Sequence, residues 1–322
     1  MSKKAKTKNP RTYVAIVLDK SSSMMGTKTE TIEGYNEQVE QMQLNAKEGQ
    51  DILCSLVTFN GHVYEHLWNV PAAELTKANS EDYTPAGSTA MRDGMGYTIQ
   101  KLLDTTDHAD ENNAYLMIVI SDGAENSSHQ FTPAALKELV SSCENTKRWT
   151  FTYMGCGKEV LQQVAQETGI RVENMAMWDN STSRGTAFGM RSSSERTKKY
   201  LSARSKGEAL VSNFYSDVKG CCADYTSGEP AEVDLGGIKN PYLPIPKTSD
   251  VKPALDLTYR SDLAQVENIV RHERSLNDIY SSLSPYKLNQ PSQVGGGVFG
   301  KANEVCWNVS NATPTWNTNK VT

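Results

Sequence analysis

Two near-continuous apolar runs stand out along the chain, 13–18 (YVAIVL) and 114–120 (AYLMIVI), each too short for a typical helix and rich in β-branched residues. Runs of this kind, bounded by turn residues, predict strands buried on both faces. Each run ends on a polar cluster, Asp19-Lys20-Ser21 after the first and Ser121-Asp122-Gly123 after the second. Elsewhere the period changes. Over 29–47, Ile32, Tyr35, Val39 and Met42 share one stripe while Glu33, Glu37 and Glu40 lie off it, as in an amphipathic surface helix. Strands are expected at 52–59, at 62–68 as an edge hairpin partner, at 149–154 and at 172–178. Helices are expected at 90–103, 133–143 and 159–166, with Thr132 as a cap ahead of Pro133. The stretch 186–215 reads as helical and carries the last helix of the domain. Strand and helix in alternation predict an α/β, three-layer architecture, with a mainly parallel central sheet and helices on both faces.

The pattern breaks after Val218, where Gly, Pro, Asn, Ser and Thr become frequent, as in Asn240-Pro241-Tyr242-Leu243-Pro244-Ile245-Pro246. Prolines at that spacing favour extended backbone. The expected organisation is a basic N-terminal tail (1–11), one domain (12–217) and an extended arm (218–322). Within the arm, 261–283 reads as a helix with Leu263, Val266, Ile269, Val270, Leu276, Ile279 and Leu283 near one face. That face must pack on the same molecule or on a neighbouring subunit. Phe299, Trp307 and Trp316 look like anchors for a surface supplied by other chains.

Candidate chemistry collects where the strands end. Asp19, Ser21 and Ser23 follow the first strand, Thr89 lies in TPAGSTAMRDG, and Asp122 follows the fourth strand of the series. An open parallel sheet gathers the loops at its strand ends into one crevice, so the five read as a single metal site. Their oxygens suit a hard divalent cation: Mg²⁺ first, with Mn²⁺ or Ca²⁺ also accommodated. Taken one loop at a time, each segment also reads as an ordinary polar turn.

Enzyme signatures are absent or poor. Gly155-Cys156-Gly157-Lys158 is too short for a phosphate loop, and the five histidines form no HExxH helix. His62 and His66 flank an alternating strand as surface histidines, and His129 reads as exposed in a loop. Cys54, Cys143 and Cys156 read as small core fillers, and Cys221-Cys222 with Cys306 lack zinc-ligand spacing. The net charge of -5 and pI near 5.7 argue against a general nucleic-acid binder. Lys3, Lys4, Lys6, Lys8 and Arg11 form a solvated basic leader, and the charges of Arg191, Arg196, Lys198, Lys199, Arg204 and Lys206 are expected to face water. No secretory leader and no run of eighteen apolar residues is visible, so a soluble protein made in the cytoplasm, without a membrane partner, is expected.

Asp19-Lys20-Ser21-Ser22-Ser23-Met24, Gly87-Ser88-Thr89-Ala90 and Ser121-Asp122-Gly123 together resemble a von Willebrand factor type A domain, over roughly 12–215. The corresponding loops of that family form a metal-ion-dependent adhesion site. The resemblance implies that Ser21 and Ser23 ligate the metal directly, Thr89 directly or through water, and that Asp19 and Asp122 mostly hold coordinating waters. A cation ligated mainly by neutral oxygens keeps much of its charge and seeks an external carboxylate, at about 2.0–2.1 Å for Mg²⁺. The implied function is non-enzymatic, metal-dependent protein binding, in which a partner offers Asp or Glu to the metal; the arm's own residues add the expectation that it holds neighbouring subunits of an assembly. A bacteriophage virion, in its tail or neck, would suit such a chain. An accessory subunit of an AAA-type ATPase, as in chelatases, is the alternative, and a metal phosphodiesterase is disfavoured for want of a base and a second metal cluster.

Overall fold

A computed structural model describes residues 10–208, 213–215 and 303–304. All of them belong to the first of two compact units, Met1–Pro241 with Pro291–Glu304. Lys3, Lys4, Lys6 and Lys8 of the basic leader, the helix expected at 261–283 and the aromatic anchors of the arm lie outside the described residues; Arg11, counted with the leader, instead opens the first strand, where its Nε donates to Asp51 Oδ2 at 2.8 Å.

The apolar runs form strands as the pattern predicts: β1 (Arg11–Asp19), β2 (Asp51–Phe59), β3 (Val63–Pro71), β4 (Asn113–Ile120), β5 (Trp149–Gly155) and β6 (Met175–Met177). Their order across the sheet is β6-β5-β4-β1-β2-β3. Five are parallel and β3 is antiparallel at the edge, where Asn303–Glu304 (β7) pairs with Tyr64 and Glu65. From β1 the chain winds outward through β2 and, separately, through β4, so the switch point of this doubly wound sheet lies between β1 and β4.

Helix α1 (Lys28–Lys47) packs beside α5 (Ser183–Ser205), while α2 (Met91–Thr105), α3 (Pro133–Asn145) and α4 (Lys158–Thr168) make a second contiguous group. The expected stripe Ile32, Tyr35, Val39 and Met42 is buried against Val14, Ile16 and Leu18 of β1 and against Met190 and Leu201 of α5. Gly34 permits this approach, since a Cβ there would lie 2.5 Å from the Cβ of Met190. Tyr13, Tyr115 and Trp149 occupy one register line on β1, β4 and β5 and stack at 5.1 and 4.2 Å. Each such side chain, once buried, contributes about 1.5–3 kcal/mol.

Thr132 caps α3 as expected, its hydroxyl accepting from Ala135 N at 3.2 Å. Three boundaries differ. The strand expected at 172–178 is reduced to β6 because Val172–Asn174 close a 3-10 turn. The helix expected at 186–215 begins at Ser183, capped by Thr182, whose hydroxyl accepts from Gly185 N at 3.0 Å. It stops at Ser205, and Gly207, at φ +80°, turns the chain away. Phe214 and Tyr215 then return to the core, Phe214 N donating to Asn174 Oδ1 at 2.9 Å. Arg204 is also not solvated: it is buried, and its guanidinium donates to Asn112 O at 3.0 Å.

Candidate metal centre

Asp19 and Asp122 sit at the carboxyl ends of β1 and β4, the two strands that flank the switch point. After Asp19 the chain enters a 3-10 turn (Ser22–Thr27) that carries Ser23. Neighbouring loops hold its entry. Lys20 N donates to Phe59 O and Ala86 N to Lys20 O, both at 2.7 Å; Ser22 N donates to Gly87 O at 3.0 Å. Gly87 N returns a bond to Ser22 Oγ at 2.9 Å, from a backbone at φ +86° that favours glycine.

These ties bring the five sequence-selected residues together. Asp19 is fully buried; its Oδ1 accepts from Ser21 N and its Oδ2 from Ser121 Oγ, each at 2.6 Å. Ser21 Oγ lies 3.0 Å from Ser23 Oγ, and Ser23 Oγ donates to Asp122 Oδ1 at 2.5 Å. Thr89 completes the set. A Cβ placed on Gly123 would lie 3.3 Å from Ser23 Oγ and 3.5 Å from Thr89 Oγ1, so the space that a side chain at 123 would enter is bordered by both hydroxyls.

The electrostatics suit a cation. Burial pushes the Asp19 carboxyl up to about 6, against the bonds from Ser121 and Ser21, and the nearby Asp122 charge adds to the rise. Burial likewise raises Asp122, opposed by bonds from Ser23 and Asn180. Among the described residues no ion pair reaches either carboxylate. The adjacent Lys20 ammonium instead lies 4.2 Å from the centre of the Tyr64 ring. A buried carboxylate such as Asp19 without a counter-charge is costly, and a divalent ion would relieve the cost. The donor set is all oxygen, as hard cations require. Among the described residues no cluster of three His, Cys, Asp or Glu could hold a metal, so the candidate depends on hydroxyls.

Several supporting residues escape a motif-based reading. Tyr83 is buried and its hydroxyl donates to the Asp19 carbonyl. Asn180 reaches Asp122 from the loop before α5. Its signal was a polar residue just beyond a strand, the same signal that marked Asp19. Of the histidines, His62 and His129 are exposed as expected. His66 is not a surface group: it is half-buried, its Nε2 lies 2.8 Å from Thr58 Oγ1, and burial pushes its pKa down to about 3. Cys54, Cys143 and Cys156 are buried, as expected of core fillers, with Cys156 just past the end of β5.

The family model of the von Willebrand factor type A domain matches residues 14–183, just over half of the chain. No curated protein matches its sequence. Among solved structures it is similar to a von Willebrand factor type A protein from Catenulispora acidiphila, at 15% identity over 58% of this chain and 43% of that one (TM-score 0.42). It is also similar to the manganese-loaded TRAP protein of Plasmodium vivax, at 18% identity over 54% and 70% of the two chains (TM-score 0.39). A third is proximal thread matrix protein 1 of the mussel byssus with a zinc-occupied MIDAS motif, at 16% identity over 60% and 46% (TM-score 0.40). The chain spans less than half the length of the first and third of these.

Proposed function

The chain belongs to the von Willebrand factor type A domain family, and from that premise we propose that it is a metal-dependent protein-binding module rather than an enzyme. The observation that carries this reading is the convergence of Ser21, Ser23 and Asp122 through their hydrogen bonds, with Thr89 on the same small space beside Gly123. In this reading the serine and threonine hydroxyls face one divalent cation, Mg²⁺ first. Asp19, with both oxygens engaged by Ser21 and Ser121, orients the serine loop, while Asp122 holds Ser23 and supplies negative charge. Such a cation keeps charge to spare and draws a carboxylate from a partner's Asp or Glu into its shell. The C-terminal arm is the second attachment, to neighbouring subunits of an assembly.

The test is the mass of native complexes recovered from the source, with and without EDTA, for wild type and Asp122→Ala. Loss of assembly in both cases, with circular dichroism unchanged, supports a cation at the interface. Retention in both removes the metal from the interaction.

A further inference from the structure

The segment that follows Asp122 is fastened both to itself and to the residues around Thr89. Glu125, whose side chain is 1% exposed, accepts four bonds: from Arg92 N at 2.9 Å, Ser127 N at 2.9 Å, Ser128 N at 2.8 Å and Ser128 Oγ at 2.7 Å. The first of these donors lies in the opening turn of α2, where backbone N–H groups lack helical partners. Asn126 closes a reciprocal pair. Its Oδ1 accepts from Thr89 N at 2.9 Å, and Thr89 O accepts from Asn126 N and Ser127 N at 3.0 and 3.1 Å. Asp93 anchors the far end, accepting from the backbone N–H groups of His129, Gln130 and Phe131 at 2.8–2.9 Å.

We propose that Glu125 and Asn126 are positioning residues that join the Asp122 loop to the Thr89 loop, so that Thr89 and Asp122 meet the cation as one preassembled half of the site. The proposal rests on the metal reading above. Neither residue touches the cation in this account. Their charge-assisted and reciprocal bonds fix the backbone on which Thr89 and Asp122 are carried, the part that outer-shell partners play in other metal sites. Among the described residues, the turn that carries Ser23 meets this half through the Ser23–Asp122 side-chain bond and through the ties of Ser22 to Gly87. Any adjustment to an incoming ligand is therefore expected in the turn that carries Ser23, against a fixed Thr89–Asp122 half.

Asn126 offers the cleaner test, because its side chain is exposed and Asn126→Ala removes one bond without opening the core. Two quantities would be measured on the full chain: Mn²⁺ affinity by electron paramagnetic resonance, and hydrogen exchange at the Thr89 amide in metal-free protein. Asn126→Ala is expected to speed exchange at Thr89 and to weaken Mn²⁺ binding about tenfold, the low end of outer-shell effects. Its melting temperature should stay within about 3 °C of wild type. Asn126→Asp, which offers the same acceptor, should restore protection of the Thr89 amide, an effect that added charge alone does not produce. Faster exchange with unchanged affinity would overturn the positioning role, and so would unchanged exchange. Failure of wild type itself to take up Mn²⁺ would overturn the metal reading and this proposal with it, and would show before any variant is compared.

Discussion

Replacing His66 with glutamine should abolish a large part of the domain's acid sensitivity. The imidazole is half-buried on β3, against Thr58 Oγ1 and near the Lys20 charge, and burial followed by that charge depresses its pKa from 6.5 to about 3. The fold thus holds His66 neutral at pH values where the unfolded chain binds a proton. Since the unfolded state binds more protons below pH 6.5, stability falls as pH drops from 6.5 toward 3. At pH 5 the penalty is about 1.5 pKa units, or roughly 2 kcal/mol. For a domain of this size that corresponds to about 4–8 °C in melting temperature. Glutamine preserves an amide to pair with Thr58 and cannot titrate. Thermal or urea unfolding at pH 7.5 and pH 5.0 in EDTA, for wild type and His66→Gln, gives the double difference. Asp19 and Glu144 carry raised values, about 6 and about 7, so their contributions are lost as pH rises, and being present in both proteins they cancel. Equal acid losses in the two proteins, within about 0.5 kcal/mol, would refute a neutral buried His66.

Gly123→Val should place a side chain between Ser23 Oγ and Thr89 Oγ1 and reduce Mn²⁺ affinity at least a hundredfold, because its nearest neighbours are the proposed ligands themselves. Residue 123 is not among the positive-φ glycines, so its melting temperature in EDTA should stay within about 3 °C of wild type; calorimetric titration and a thermal scan check both parts. Gly34→Ala should destabilise the domain by about 1–3 kcal/mol in urea unfolding, since its Cβ would overlap Met190 where α1 meets α5. Adding Met190→Ala should recover part of that loss.

The order of elements and the five metal-site candidates were legible because both follow from local pattern. A buried parallel strand needs an apolar run, and its polar end must face the crevice where the loops gather. What sequence could not supply is the partner of each polar group across the chain. Tyr83, Asn126 and Asn180 act on Asp19, Thr89 and Asp122 from 64, 37 and 58 positions away, pairings that only the folded sheet creates. His66 was misjudged for the same reason. An alternating edge strand suggests that one face is wet, but here His66 is bonded to Thr58 and lies within reach of the Lys20 charge. The limits of α5 were partly readable, since Thr182 and Gly207 are a conventional cap and stop. The apolar Phe214 and Tyr215 masked that stop by extending the pattern past it.

The most direct test of the central claim is a titration of EDTA-treated, desalted full-length protein with Mn²⁺, followed by electron paramagnetic resonance. The account predicts one saturable site per chain that Asp122→Ala removes while circular dichroism is unchanged. A wild-type protein that binds no Mn²⁺, or an Asp122→Ala variant that binds it as well as wild type, would contradict the assignment.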